Sequence, residues 1–225
     1  MKKIIWYLLI GVLFMISCYP YMGPGYNSNL VMIDLQDVDN ETSGCGDEIL
    51  RKIAIDTVDY LLDLLKNPGN NSRECVIRAL GKVASPRTVR PLLEHCAAIH
   101  AKEYDMSKGI TPEFMAIANE SRAVMAAFKD MGGIALPELN AIFVNKEEDA
   151  KMREEIPNAY DWIDSTSTVP LLKNVIVDST DDIKVRLKSM DPYYELSKDK
   201  TLFESMVADQ NEEIRKKAKE ILEKK

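Results

Sequence analysis

Cys96, His100 and Glu103 stand at i, i+4 and i+7, which puts a thiol, an imidazole and a carboxylate on one helical face. Such donors suit a borderline metal such as zinc. The same positions have a plainer use. Cys96 falls where an apolar stripe needs a small buried residue, and His100 lies at the edge of that stripe. On that ground no metal and no cofactor is expected, and His95 is expected on the surface. Arg73, Arg78, Arg87 and Arg90 form a second group, a basic cluster on an acidic chain. They could meet an acidic partner; ion pairs inside the fold are the simpler role. Tyr160, Trp162, Tyr193 and Tyr194 could line a groove or fill a core. No Gly-rich phosphate loop, HExxH or GxSxG occurs, so no catalytic residue is assigned and the chain is expected not to be an enzyme.

The first 18 residues, MKKIIWYLLIGVLFMISC, differ from the rest. Lys2 and Lys3 precede an apolar run from Ile4 to Ile16, shorter than the roughly 20 residues a transmembrane helix needs. The stretch LFMISC resembles the bacterial lipoprotein signal, in which a small residue precedes a cysteine that becomes lipidated; Met15 takes the place usually held by leucine. The resemblance implies cleavage after residue 17 and lipidation of Cys18. It places the protein on a bacterial membrane through that lipid, with inner and outer membrane left open. Loss of residues 1–17 removes two lysines and no acid, leaving 27 basic residues against 36 acidic, a net charge of −9. That balance disfavours nucleic acid, which needs a basic face, and flat adsorption on anionic lipid. Residues 18–46 are rich in Gly, Pro, Asn and Ser and predict a flexible tether.

From residue 47 onward one spacing recurs. Val58, Leu61, Leu62 and Leu65 repeat as Val89, Leu92, Leu93 and Cys96, 31 residues later. Thr57 and Thr88 precede these stripes as plausible helix caps. Leu139 with Ile142, then Leu171, Leu172 and Val175, then Leu202, Phe203 and Met206 continue the series. A second series interleaves with it: Val76, Ala79, Leu80, Val83; Val124, Ala127, Phe128, Met131; Ile156, Ala159, Tyr160, Ile163; Leu187, Met190, Tyr194; and Ala218 with Ile221. Its steps are 48, 32, 31 and 31. Two series sharing one period predict helical hairpins stacked in a row, since one hairpin cannot bury its own stripe. Pro157, inside a predicted first helix, is expected to kink or interrupt it. The charged C-terminus, NEEIRKKAKEILEKK, reads as a closing cap.

The long step of 48 marks an insertion at about residues 97–120. Ala97–Met106 predicts a prolonged helix, Lys108-Gly109 a break, and Thr111-Pro112 the start of another helix, together a protruding pair. Insertions in solenoids gather on one face and often carry binding. Arg87, Arg90, His95, His100, Glu103 and Tyr104, in or beside it, are therefore the candidate binding residues. Cys96 with Cys75 could form one disulfide; two mostly buried thiols are the simpler expectation.

SRECVIRALGKVASPRTVRPLLEH resembles the HEAT repeat, in the short variety of about 30 residues first noted in phycobilisome lyases. Arg73, Ala79-Leu80-Gly81 and Val89 with Leu92-Leu93 carry the match. Later units are degenerate; Lys129 stands where Gly81 would recur. The resemblance implies an all-α, right-handed α-solenoid of about five hairpins over 47–225. It implies a scaffold that binds an unknown protein or peptide of the cell envelope. The lyase branch implies the alternative, an enzyme or enzyme partner holding a small molecule near the insertion.

Overall fold

An amphipathic helix must cover its apolar stripe, and here each stripe is covered by the helices before and after it. The structure is a computed structural model of the 225-residue chain and describes residues 45–67, 73–101 and 110–224. The signal segment, Cys18, nearly all of the tether, Glu103 and Tyr104 lie outside the described residues. Within them run α1 (Cys45–Lys66), α2 (Arg73–Val83), α3 (Val89–His100), α4 (Pro112–Met131), α5 (Leu136–Val144), α6 (Ala150–Ile163), α7 (Val169–Val177), α8 (Ile183–Ser197), α9 (Thr201–Met206) and α10 (Glu212–Glu223), with no strand among the described residues. None of these helices is long and apolar enough to cross a membrane.

The first helices α2, α4, α6, α8 and α10 each pack on the next in chain order. The second helices α3, α5 and α7 form a parallel series, and α3, α5, α7 and α9 also pack on the first helix that follows each. The fold is an all-α solenoid: four hairpins, α2–α3 through α8–α9, between α1 and the closing helix α10. The expected stripe residues of α2 and α4 are all buried, as are Ile156, Ala159 and Tyr160 of α6. Val58, Leu61 and Leu65 on α1 and Val89, Leu92, Leu93 and Cys96 on α3 are buried too. Tyr160 and Tyr193 belong to the core, while Trp162 and Tyr194 pack against its edge. Tyr160 meets Phe143 edge-on at 5.5 Å between ring centroids and donates its hydroxyl to Asn140 Oδ1 at 2.7 Å.

One backbone device recurs with the repeat. The residue after each of α2, α4, α6 and α8 has positive φ: Ala84, Gly132, Asp164 and Lys198. Its N–H closes the helix end, for example Lys198 to the Tyr194 carbonyl at 2.8 Å. A second device ties successive units. Asp149 and Asp182 cap α6 and α8, and the arginine four residues after each cap turns inward. Arg153 Nε donates to the Phe143 carbonyl at 2.9 Å, and its two terminal nitrogens donate to both oxygens of Asp181 at 2.7 Å. Arg186 repeats this one unit later, with the Ile176 carbonyl and Asp209. Each arginine thus satisfies a carbonyl at the end of a second helix and clamps the next inter-helix loop.

Several expectations change. Thr57 lies inside α1 rather than at the start of a helix. Thr88 makes no side-chain cap; its hydroxyl donates to the Ser85 carbonyl at 2.8 Å, and Thr168 repeats this with Ser165. Pro157 does not interrupt α6, which runs unbroken through it, as α8 does through Pro192. The helix is gripped by α4 and α8 in its own layer, which offsets one missing N–H donor. In α8 the buried face is Val185, Arg186, Ser189, Met190 and Tyr193, so the register differs from the expected Leu187–Met190–Tyr194 stripe. The Asp182 cap and Arg186 clamp set that register. Residues 102–109 of the expected insertion lie outside the described residues. Its second half is continuous with α4, capped by Thr111, which accepts from Phe114 N–H at 3.2 Å, with Pro112 leading the helix.

Candidate functional site

Four residues apart on a helix is one turn, so Cys96 and His100 point the same way from the end of α3. The stack sets α3 against both α4 and α6. On α6 the buried stripe includes Met152, Arg153 and Ile156, and Glu155 stands at its margin, facing α3. The result is a contact between three elements. His100 Nδ1 and Glu155 Oε1 are 2.7 Å apart. The Cys96 thiol donates to Glu155 Oε2 at 3.7 Å and lies 4.0 Å from Ser121 Oγ on α4. Beside this group, His95 Nε2 lies 3.0 Å from Glu120 Oε2, and Arg73 approaches the same carboxylate at 4.0 Å. Cys96 is fully buried, Glu155 is mostly covered, and the His100 side chain is 38% exposed, so the group opens outward at the histidine.

The electrostatics follow from that placement. Burial pushes the Cys96 thiol far up, and the charge and hydrogen bond of Glu155 push it further, against the hydrogen bond of Ser121. His100 is raised by its hydrogen bond to Glu155, against partial burial and the charge of Lys188. The neighbouring Glu154 is raised chiefly by burial. The thiol therefore stays protonated, and its nearest charged neighbour is an acid rather than a base. That arrangement does not activate a cysteine nucleophile. It does gather sulfur, nitrogen and oxygen donors: one ligand atom from each of Cys96, His100 and Glu155, all within 4.8 Å of one another.

The other sequence candidates fall as follows. Arg87 pairs with Asp59 at 2.6 Å, and Arg78 with Glu74 on its own helix at 2.8 Å. Arg90 meets Glu138 at 3.1 Å and grips both oxygens of Glu148 at 3.0 and 2.9 Å. The basic cluster is thus tied to acids of its own and neighbouring units. His95 is not a surface residue: its side chain is 15% exposed, tucked under α4. Cys96 is a free thiol, so no bond joins it to Cys75. Cys18, Glu103 and Tyr104 lie outside the described residues. Sequence spacing pointed to Glu103 as the acid on this face. Glu155 is 59 residues from Cys96, and only the packing of α6 on α3 brings it in. Within NKEEDAKMREE it looked like one of several solvated acids; its one signal was its place directly before the stripe residue Ile156.

Comparison with known proteins assigns the chain to no family. No family model matches the chain, and no curated protein matches it. Among solved structures it resembles human deoxyhypusine hydroxylase, determined in complex with glycerol, at 15% identity, over 76% of this chain and 74% of that one, with a TM-score of 0.40. That overlap assigns no activity. The expectation of a chain without chemistry of its own is nonetheless corrected: Cys96, His100 and Glu155 gather three donors that could hold a metal ion. The sequence stripes had accounted for Cys96 and His100 by packing alone, because the third donor comes from a distant unit.

Proposed function

We propose that this protein is an exported, lipid-anchored solenoid of the HEAT-repeat family that binds a protein or peptide along its second-helix face, held at a bacterial envelope membrane by lipid on Cys18. The observation that carries the binding reading is a pair of exposed apolar side chains in equivalent places. Val144 and Val177 end α5 and α7, are 53% and 48% exposed, and stand 33 residues apart. The loops that follow them are joined by Lys146 and Asp178. A stack that repeats an exposed apolar position offers a ridge whose spacing a partner can match. Ile110 and Met115, exposed at the start of α4, add apolar surface at the insertion. The acidic net charge supports a protein rather than a nucleic-acid partner.

A photo-crosslinking residue placed at Val144 or Val177 in living cells is expected to give a discrete adduct, and one at Lys219 on α10 none. Equal labelling at all three, or none, overturns the reading. Metabolic labelling with palmitate is expected in the native chain and lost in Cys18→Ser; label that survives the substitution removes the anchor. A second reading, a small molecule handled beside the insertion, is favoured by one observation, the Cys96–His100–Glu155 group at the end of α3. A compound that co-purifies with the native chain and is lost in His100→Ala would support it.

A further inference from the structure

We propose that Cys96, His100 and Glu155 are the ligands of a borderline divalent metal of the zinc class, with a fourth position open to solvent. This goes beyond the binding face above, which lies on other residues and stands or falls separately.

The donors come first. A thiol, an imidazole and a carboxylate are the three side chains that zinc takes, and three protein ligands with one open place is the arrangement of a reactive rather than a closed structural site. A single carboxylate beside sulfur does not suit calcium or magnesium, which need several oxygens. The geometry comes next. Tetrahedral zinc with bonds of about 2.0–2.3 Å holds its donors roughly 3.3–3.8 Å apart. Cys96 Sγ and Glu155 Oε2 are already 3.7 Å apart. His100 Nδ1 is hydrogen-bonded to the other carboxylate oxygen, Glu155 Oε1, at 2.7 Å, and the three ligand atoms lie within 4.8 Å of one another, so a cation would displace that hydrogen bond and draw the donors around itself. His100 is the outermost and most exposed of the three, so it has room to turn.

The supports are rigid. Cys96 is anchored in the core on α3, between Leu93 and Ala97, both buried, and Glu155 stands on α6 beside the buried Ile156. Ser121 Oγ, 4.0 Å from the sulfur, is placed to donate to a thiolate once one forms. The charges fit as well. Without a cation the group pairs a protonated thiol with a mostly covered carboxylate. With M²⁺ bound, Cys96 gives up its thiol proton and His100 gives up its ring proton where it carries one. No oxidation occurs; the displaced protons go to solvent.

The test is a titration of the reduced full-length chain with Co²⁺, a coloured stand-in for zinc. Expected are a single-thiolate sulfur-to-cobalt charge-transfer band in the near ultraviolet, intense visible bands of a tetrahedral ion, displacement by Zn²⁺, and proton release. Cys96→Ala must remove the charge-transfer band, while Cys75→Ala must keep it. His100→Ala, at an exposed side chain that leaves the core intact, must weaken binding by about tenfold or more and shift the visible bands. Glu155→Gln must weaken it likewise. No band in the folded native chain, a band that survives Cys96→Ala, or an unchanged titration of His100→Ala overturns the site. The crosslinking test of the binding face is independent of all three.

Discussion

At the scale of single residues, buried ion pairs tie successive units of this molecule to one another. Arg153 and Asp181 are each only 3% exposed at the side chain and bond through both guanidinium nitrogens. Removing one partner strands a buried charge. Arg153→Met is expected to destabilise by about 3–5 kcal/mol in urea unfolding, and Arg153→Met with Asp181→Leu by less. Equal losses would mean the pair contributes packing rather than charge. Asp209 gives a pH dependence. Burial raises its carboxyl, but the Asn211 N–H, Arg186 and Arg215 outweigh burial, and the folded value lies below the ordinary one. A depressed carboxylate stabilises fully above its unfolded value, near about 3.9, and loses that contribution as pH falls through the folded value. Asp209→Asn should therefore be less stable than the native chain at neutral pH, with the gap closing in acid; a constant gap would show that the charge is not the cause. The inward arginines were not legible in the sequence, because an arginine on a helix reads as solvated until a partner loop is known. Glu155 was missed for the same reason.

At the scale of elements, the helices were legible, as was the Thr111-Pro112 start of α4, but the turns that close the first helices were not. The 3.6-residue stripes located the buried face of α2, α3 and α4 down to single residues. The turns were hidden because three of the four positive-φ residues that close the first helices are Ala84, Asp164 and Lys198 rather than glycine. The glycines that matter are Gly132 and Gly81. Gly132 has φ of +54° with open space around it, and Gly133 beside it has neither strain nor a close neighbour. Gly132→Ala is expected to cost about 1–3 kcal/mol, and Gly133→Ala to be neutral or mildly stabilising. Gly81 acts through space. A Cβ there would lie 2.6 Å from both the Cα and the Cβ of Ala127, so α2 and α4 cross backbone against side chain. Gly81→Ala should cost about 1–3 kcal/mol, and pairing it with Ala127→Gly should recover part of the loss in thermal unfolding. Additive losses in that cycle would show that the two helices do not meet there.

At the scale of the whole molecule, stacking in chain order is what makes a site possible. Each hairpin touches its neighbours, and α3 of the first hairpin also reaches α6 of the third, so residues far apart in sequence are brought together. That is how α3 and α6 bring Cys96 to Glu155, and how Val144 and Val177 come to stand in line. The solenoid itself was legible because two stripe series shared one period. The site was not, because a period locates units without saying which polar edges they turn toward each other. The most direct measurement is zero-length carbodiimide cross-linking of the native chain, read by mass spectrometry. Ion pairs between units give its targets: Lys82–Asp130 from α2 to α4, Lys146–Asp178 between the loops after α5 and α7, and Lys217–Asp191 from α10 to α8. All three links are predicted within single chains. Links from Lys82 to Asp191, or from Lys217 to Asp130, would join units that a linear stack keeps apart and would contradict it.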